Sequence, residues 1–118
     1  MTSVIYNQTG RIRNRDYANI PATATAVYTA TKAENPTVLK ILVSNKDAGI
    51  KKVTVAVYRA ATSTTIVQVK DYPIPIADHY LCNFEIQMLD GDEIRMTAET
   101  ANTLDAMLLV SEGIGRGG

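Results

Sequence analysis

Three features of this 118-residue sequence combine residue type and spacing in a way that could do chemistry. The first is the stretch Arg11, Arg13 and Arg15, three guanidiniums each two residues from the next. The second is the lone histidine, His79, beside Asp78 and three residues before the lone cysteine, Cys82. The third is the acidic run Asp90, Asp92 and Glu93. Nucleophilic catalysis would need a histidine aligned with a thiol or hydroxyl. In an extended chain His79 and Cys82 have opposite parity and face opposite ways, and Cys82 shares its phase with Phe84 and Ile86. That phase marks a packed core thiol. The acidic run lacks the oxygen ligands spaced over a twelve-residue loop that calcium would need. The Gly-rich end, "GIGRGG" at 113–118, follows the last apolar run and opens no helix, so it cannot cradle a phosphate. The sequence therefore predicts no enzyme, no cofactor and no bound metal.

The arginines remain. In an extended chain Arg11, Arg13 and Arg15 project to one side, while Ile12 and Asn14 project to the other. Guanidinium forks match carboxylates geometrically. With no interleaved stacking aromatics and a net charge of zero, nucleic acid is a poor target. Arg11, Ile12, Arg13, Arg15 and Tyr17 are thus the candidate partner-binding residues, with carboxylates of a neighbouring protein as the partner. The bland reading is an edge strand whose charges block aggregation.

The neutral total hides a polarity. Residues 1–33 carry +3, residues 34–70 carry +4, and residues 71–112 carry −8. Such a chain can attract copies of itself if the two regions stay apart after folding. If they pair within the fold, the polarity is invisible from outside.

The elements that must position these groups are strands. Apolar residues alternate with polar ones in "TVLKILVSN" (Leu39, Ile41, Val43), "VTVAVYR" (Val53, Val55, Val57) and "YLCNFEIQM" (Tyr80, Cys82, Phe84, Ile86, Met88), and again in "DEIRMTAE" (Ile94, Met96, Ala98). A weaker run, "TTIVQVKD", puts Val67 and Val69 together. Period two over such lengths predicts half-buried antiparallel strands. "TLDAMLLVSEG" suits a short helix by composition, but Leu104, Ala106, Leu108 and Val110 alternate, so it reads as the closing strand. Turn-rich "NKDAG" and "AATS" separate strands, and the two prolines of "YPIPIADH" exclude a central strand there. Asp90-Gly91 between two alternating runs predicts a tight hairpin pairing 80–89 with 92–99.

About eight short strands predict one all-β domain, an antiparallel β-sandwich or jelly roll. Its expected limits are 21–112, with an extended arm over 1–20 and a flexible tail over 113–118. One cysteine excludes an internal disulfide framework, and no apolar run is long enough to span a membrane as a helix or to mark a secretion signal.

The succession "AVYTAT", "LKILVSN", "VTVAVYR", "YPIPIA", "LDGDEIRMTAET" and "LLVSEG", over roughly residues 25–112, resembles small β-sandwich structural proteins of tailed-bacteriophage virions. The resemblance implies an inactive scaffold located in the virion, present in many copies and forming a homo-oligomer. Its implied partners are capsid or other virion proteins, and its implied role is decorating or cementing a capsid. The alternative it leaves open is a head–tail junction, tail or fibre component that binds a receptor or carbohydrate, through loops with Tyr58, Tyr72 and Tyr80.

Overall fold

A computed structural model describes residues 11–32 and 34–113. Among them nine strands form two antiparallel sheets: β1 (Arg11–Tyr17), β2 (Thr25–Thr29), β3 (Thr37–Asn45), β4 (Lys51–Arg59), β5 (Thr64–Ile74), β6 (His79–Cys82), β7 (Ile86–Gln87), β8 (Glu93–Ala98) and β9 (Leu104–Glu112). Sheet A runs β1-β9-β3-β6, with β7 also on β3, and sheet B runs β2-β8-β4-β5. The two sheets pack as a sandwich, so the all-β expectation holds with one strand more than the count of about eight.

The core lies between the sheets, and the alternation builds it. Val53, Val55 and Val57 of β4 and Ile94, Met96 and Ala98 of β8 face Ile41 and Val43 of β3 and Leu104, Ala106, Leu108 and Val110 of β9. Each fully buried aliphatic side chain contributes about 1.5–3 kcal/mol. The segment 103–113 is a strand, and it sits in the interior of sheet A between β1 and β3. Strand β5 holds Pro73 and lies at the edge of sheet B, where a missing N–H leaves no ladder bond unmade. The "AATS" turn joins β4 to β5, and β2 is the other edge of sheet B.

Several expectations fail for identifiable reasons. The Asp90-Gly91 turn forms, with Gly91 at φ 86°. It does not pair 80–89 with 92–99, because β6 and β7 lie on β3 in sheet A while β8 lies between β2 and β4 in sheet B. The turn carries the chain from one sheet to the other. Phe84 leaves the buried phase and is 74% exposed, because the chain breaks between Cys82 and Ile86 into two short strands. Leu39 is also out of phase. A bulge between Val38 and Lys40 resets the alternation, so that Val38, Ile41 and Val43 are buried instead. A bulge of the same kind at Gln68 pairs Val69 with Val55 and Val67 with Ala56, which separates the two valines onto opposite faces.

Residues 11–17 lie inside the stretch expected as an arm. They are paired in full register with β9, from Arg11 opposite Glu112 to Tyr17 opposite Ala106. Residues 1–10 of that stretch and 114–118 of the tail lie outside the described residues.

Candidate functional site

Strand β1 has little intrinsic strand preference. It forms because β9 offers it a complete ladder, and among the described residues no strand pairs with its far edge, the rim of sheet A. Residues opposite one another in an antiparallel pair share a face. Arg13 and Arg15, opposite Val110 and Leu108, therefore turn toward the sandwich interior, while Ile12, Asn14 and Asp16 turn to the outer face.

The inward arginines meet a carboxylate. Glu112 continues the buried phase of β9 one step beyond Val110 and is 4% exposed. A charge in that position must be paired. Arg15 donates to it from Nε at 2.9 Å and from Nη2 at 2.6 Å, a bidentate fork. The Tyr28 hydroxyl, on β2 of the opposite sheet, donates at 3.0 Å to Oε2. Arg13 Nε stands 3.8 Å away. Burial alone would raise the Glu112 pKa, but the hydrogen bonds from Arg15 and Tyr28 and the guanidinium charge outweigh it and hold the carboxyl below its ordinary range. The same contact raises Arg15, and burial followed by the bond to Glu112 raises Tyr28. An open slot of about 410 Å³ lies beside the cluster, lined by Arg15, Tyr28, Glu34 and Glu112 among others.

The five residues singled out from the sequence thus divide. Arg11, Ile12 and Arg13 are exposed on the rim, with Ile12 at 65%. Arg15 is tied within the chain, and Tyr17 packs against the core. Glu112 and Tyr28 were missed. The signal for Glu112 was present in the sequence as a carboxylate standing in the buried phase of the last strand.

Part of the front-to-back charge polarity closes on itself. Arg13 and Arg15 pair with Glu112, Lys46 with Asp105 at 3.0 Å, and Arg59 with Asp92 at 2.9 Å. Asp92 is 2% exposed and also accepts from the backbone N–H groups of Leu89 and Ala60, each at 2.9 Å. Burial opposes its ionisation, and these donors still hold its pKa below the ordinary range. Asp90 accepts from the N–H of Lys32 at 2.9 Å. The acidic run therefore serves the turn, and among the described residues no three His, Cys, Asp or Glu side chains cluster as metal ligands would. Cys82 is buried in the inner phase, and His79 lies on the surface beside Asp78 at 3.5 Å.

The tyrosines make no open platform. Tyr80 is buried and donates to Gln68 at 2.8 Å, and burial followed by the neighbouring Cys82 pushes its pKa up to about 12. The Arg95 guanidinium covers Tyr58 at 3.9 Å from the ring centre. Tyr72, edge-on to Tyr80 at 5.0 Å between ring centres, keeps an exposed face.

No protein-family model and no curated protein matches the sequence. Solved structures do resemble the fold. One, described as Bacillus endospore appendages forming a family of disulfide-linked pili, superposes with a TM-score of 0.52 at 15% identity, over 86% of this chain and 85% of that one. The capsid structure of Helicobacter pylori bacteriophage KHP30 superposes at 0.54 with 7% identity, over 89% and 88% of the two chains. A structure of infectious bursal disease virus gives 0.54 at 9% identity, and there this chain covers 90% of itself but spans 33% of the viral chain. At these identities the likeness defines a shared β-sandwich fold.

Proposed function

We propose that this chain is a non-enzymatic virion structural protein that decorates or cements a capsid, held to the particle and to neighbouring copies through its N-terminal stretch. The observation that carries the reading is the rim of sheet A, where β1 presents exposed Arg11, Ile12 and Arg13 on an edge that no other strand covers among the described residues. The fold it shares with a pilus and with a phage capsid supports a role in assembly over one in chemistry. We also read its strand order as a jelly roll. The chain passes between sheets at each connection except β4–β5 and β6–β7, and its first strand lies beside its last.

The mechanism is passive. Arg11 pairs with a carboxylate on the neighbour, and so does Arg13 where that carboxylate competes with Glu112 3.8 Å away. Each exposed pair contributes about 0–1 kcal/mol, so attachment relies on Ile12 being covered and on many copies acting together. Arg15 serves the fold, and through Glu112 it fixes the strand that carries the other two.

Locating the chain in an image of the assembled particle tests the reading. The expected result is many symmetry-related copies on the shell, with β1 against a neighbour. A single ring at the neck or a place on the tail would move the chain to the junction or tail alternative, and absence from the particle would overturn the proposal.

A further inference from the structure

The solvent face of sheet A carries an apolar patch that the core does not use. The ladders place Asp16, Met107, Leu42 and Leu81 in one outward row across β1, β9, β3 and β6. The next row holds Asn14, Leu109 and Lys40. Met107 is 45% and Leu81 47% exposed, and together with Leu42 and Leu109 they line a shallow groove of about 220 Å³. Contiguous apolar surface on a sheet face is unusual where nothing covers it.

The charges around the patch say what fits it. Asp16 and Lys40 are both exposed and stand at opposite corners, two strands apart with β9 between them. Among the described residues neither makes an ion pair. A two-fold axis in the plane of the interface, perpendicular to the Asp16–Lys40 diagonal and crossing β9 between Met107 and Leu109, exchanges the two corners. We propose that this face packs against the same face of a second copy, burying Met107, Leu109, Leu42 and Leu81 and pairing each Asp16 with the partner's Lys40. A self-complementary patch of this kind makes a closed dimer.

Size sets the strength. Four strands about 4.8 Å apart and up to nine residues long offer a footprint on the order of 500 Å². That is below the roughly 800 Å² per partner of a stable interface, so the dimer is weak, with half-association at roughly 100 µM. The patch lies on the same outer face of sheet A as Ile12, which stands one row beyond Asn14. The test is a solution measurement that needs no particle, so it and the proposed attachment through β1 fail separately.

Sedimentation from 10 µM to 1 mM, roughly a decade either side of that midpoint, tests it. The native chain should pass from monomer to dimer across this range. Met107→Lys should weaken dimerisation about tenfold or more. Asp16→Lys and Lys40→Asp alone should each weaken it several-fold, and the double reversal should restore it to within about twofold of the native chain. If Met107→Lys melts early, Leu81→Ser on the edge strand β6 reads the same surface. A native chain that stays monomeric at 1 mM overturns the proposal and leaves the face to a different partner. A dimer untouched by the patch substitutions, or a double reversal that fails to rescue, overturns it as well.

Discussion

Arg15 and Glu112 form a bidentate pair at 2.9 and 2.6 Å that ties the first strand of the sandwich to the end of the last, and Tyr28 joins from the opposite sheet at 3.0 Å. The pair closes the sandwich along the β1/β2 side, where among the described residues β1 has no other strand beyond it. Because Glu112 is buried and its partners donate only to it here, the pair is asymmetric in its consequences. Removing the carboxylate leaves a partly exposed guanidinium and a hydroxyl that can both turn to water. Removing Arg15 leaves a buried anion with Tyr28 and a more distant Arg13.

Arg15→Ala is therefore expected to destabilise the fold more than Glu112→Gln, by about 2–3 against about 1–2 kcal/mol. Urea unfolding of both variants checks the order. Equal and negligible effects would mean that the contact does not hold β1.

Arg11→Ala and Arg13→Ala, at exposed rim positions, are expected to change stability by less than about 0.5 kcal/mol each. If they nevertheless abolish the particle binding proposed above while Arg15→Ala acts through unfolding, the two roles within one strand are separated. The measurement is a thermal melt alongside co-sedimentation with the particle.

The pH dependence has a defined sign at both ends. Asp92, Asp105 and Glu112 have folded pKa values held below their ordinary ones, so their contribution is complete above the unfolded carboxylate range, about 4, and is lost as pH falls through the lower folded values. Tyr80 is raised to about 12, so its neutral form is favoured in the fold. Its contribution is complete below about 10 and is lost as pH climbs from there toward its folded value. Stability should be flat near neutrality, fall below about pH 4 and fall again above about pH 10. Asp92→Asn should flatten the acid limb and Tyr80→Phe the alkaline one.

The turn at 89–92 is a tight local constraint. Gly91 has φ 86°, and a Cβ built there would stand 3.0 Å from the Ala60 Cβ. Gly91→Ala should cost about 1–2 kcal/mol from the backbone alone. Asp92→Ala, which strips Arg59 and the N–H groups of Leu89 and Ala60 of their shared acceptor, should cost about 2–4 kcal/mol. Calorimetry of the two variants gives the comparison.

Asn45 is a buried amide at the end of β3 that bridges two loops. Its Nδ2 donates to the carbonyls of Gly49 at 2.8 Å and Ile74 at 2.9 Å, and its Oδ1 accepts from the N–H of Asp47 at 2.8 Å. Asn45→Leu should cost about 2–4 kcal/mol because the buried Ile74 carbonyl and the partly buried Gly49 and Asp47 backbone groups lose their partner. Amide exchange should speed up at Asp47.

How far the sequence reaches can be judged residue by residue. The alternation in 53–57, 94–98 and 104–110 predicts buried residues that the structure buries, because a strand has one inner and one outer face and nothing interrupts these three runs. Where a bulge intervenes, at Leu39 and Gln68, the phase of the sequence stays regular while the phase of the backbone slips. Phe84 shows the same limit, since a gap between two short strands leaves no mark in the alternation.

What the sequence determined by itself is therefore strand character, the inner phase of the uninterrupted runs and the sites of the turns. Those properties depend on near neighbours along the chain. Which strands pair was decided by the tertiary structure: Asp90-Gly91 makes a good tight turn either way, and only the packing of two sheets sends its flanks to different layers. The fate of the arginines was decided there too. A guanidinium every second residue fixes only that the three share a side, whereas the carboxylate that takes Arg15 lies 97 residues further along and reaches it through the register of β1 on β9.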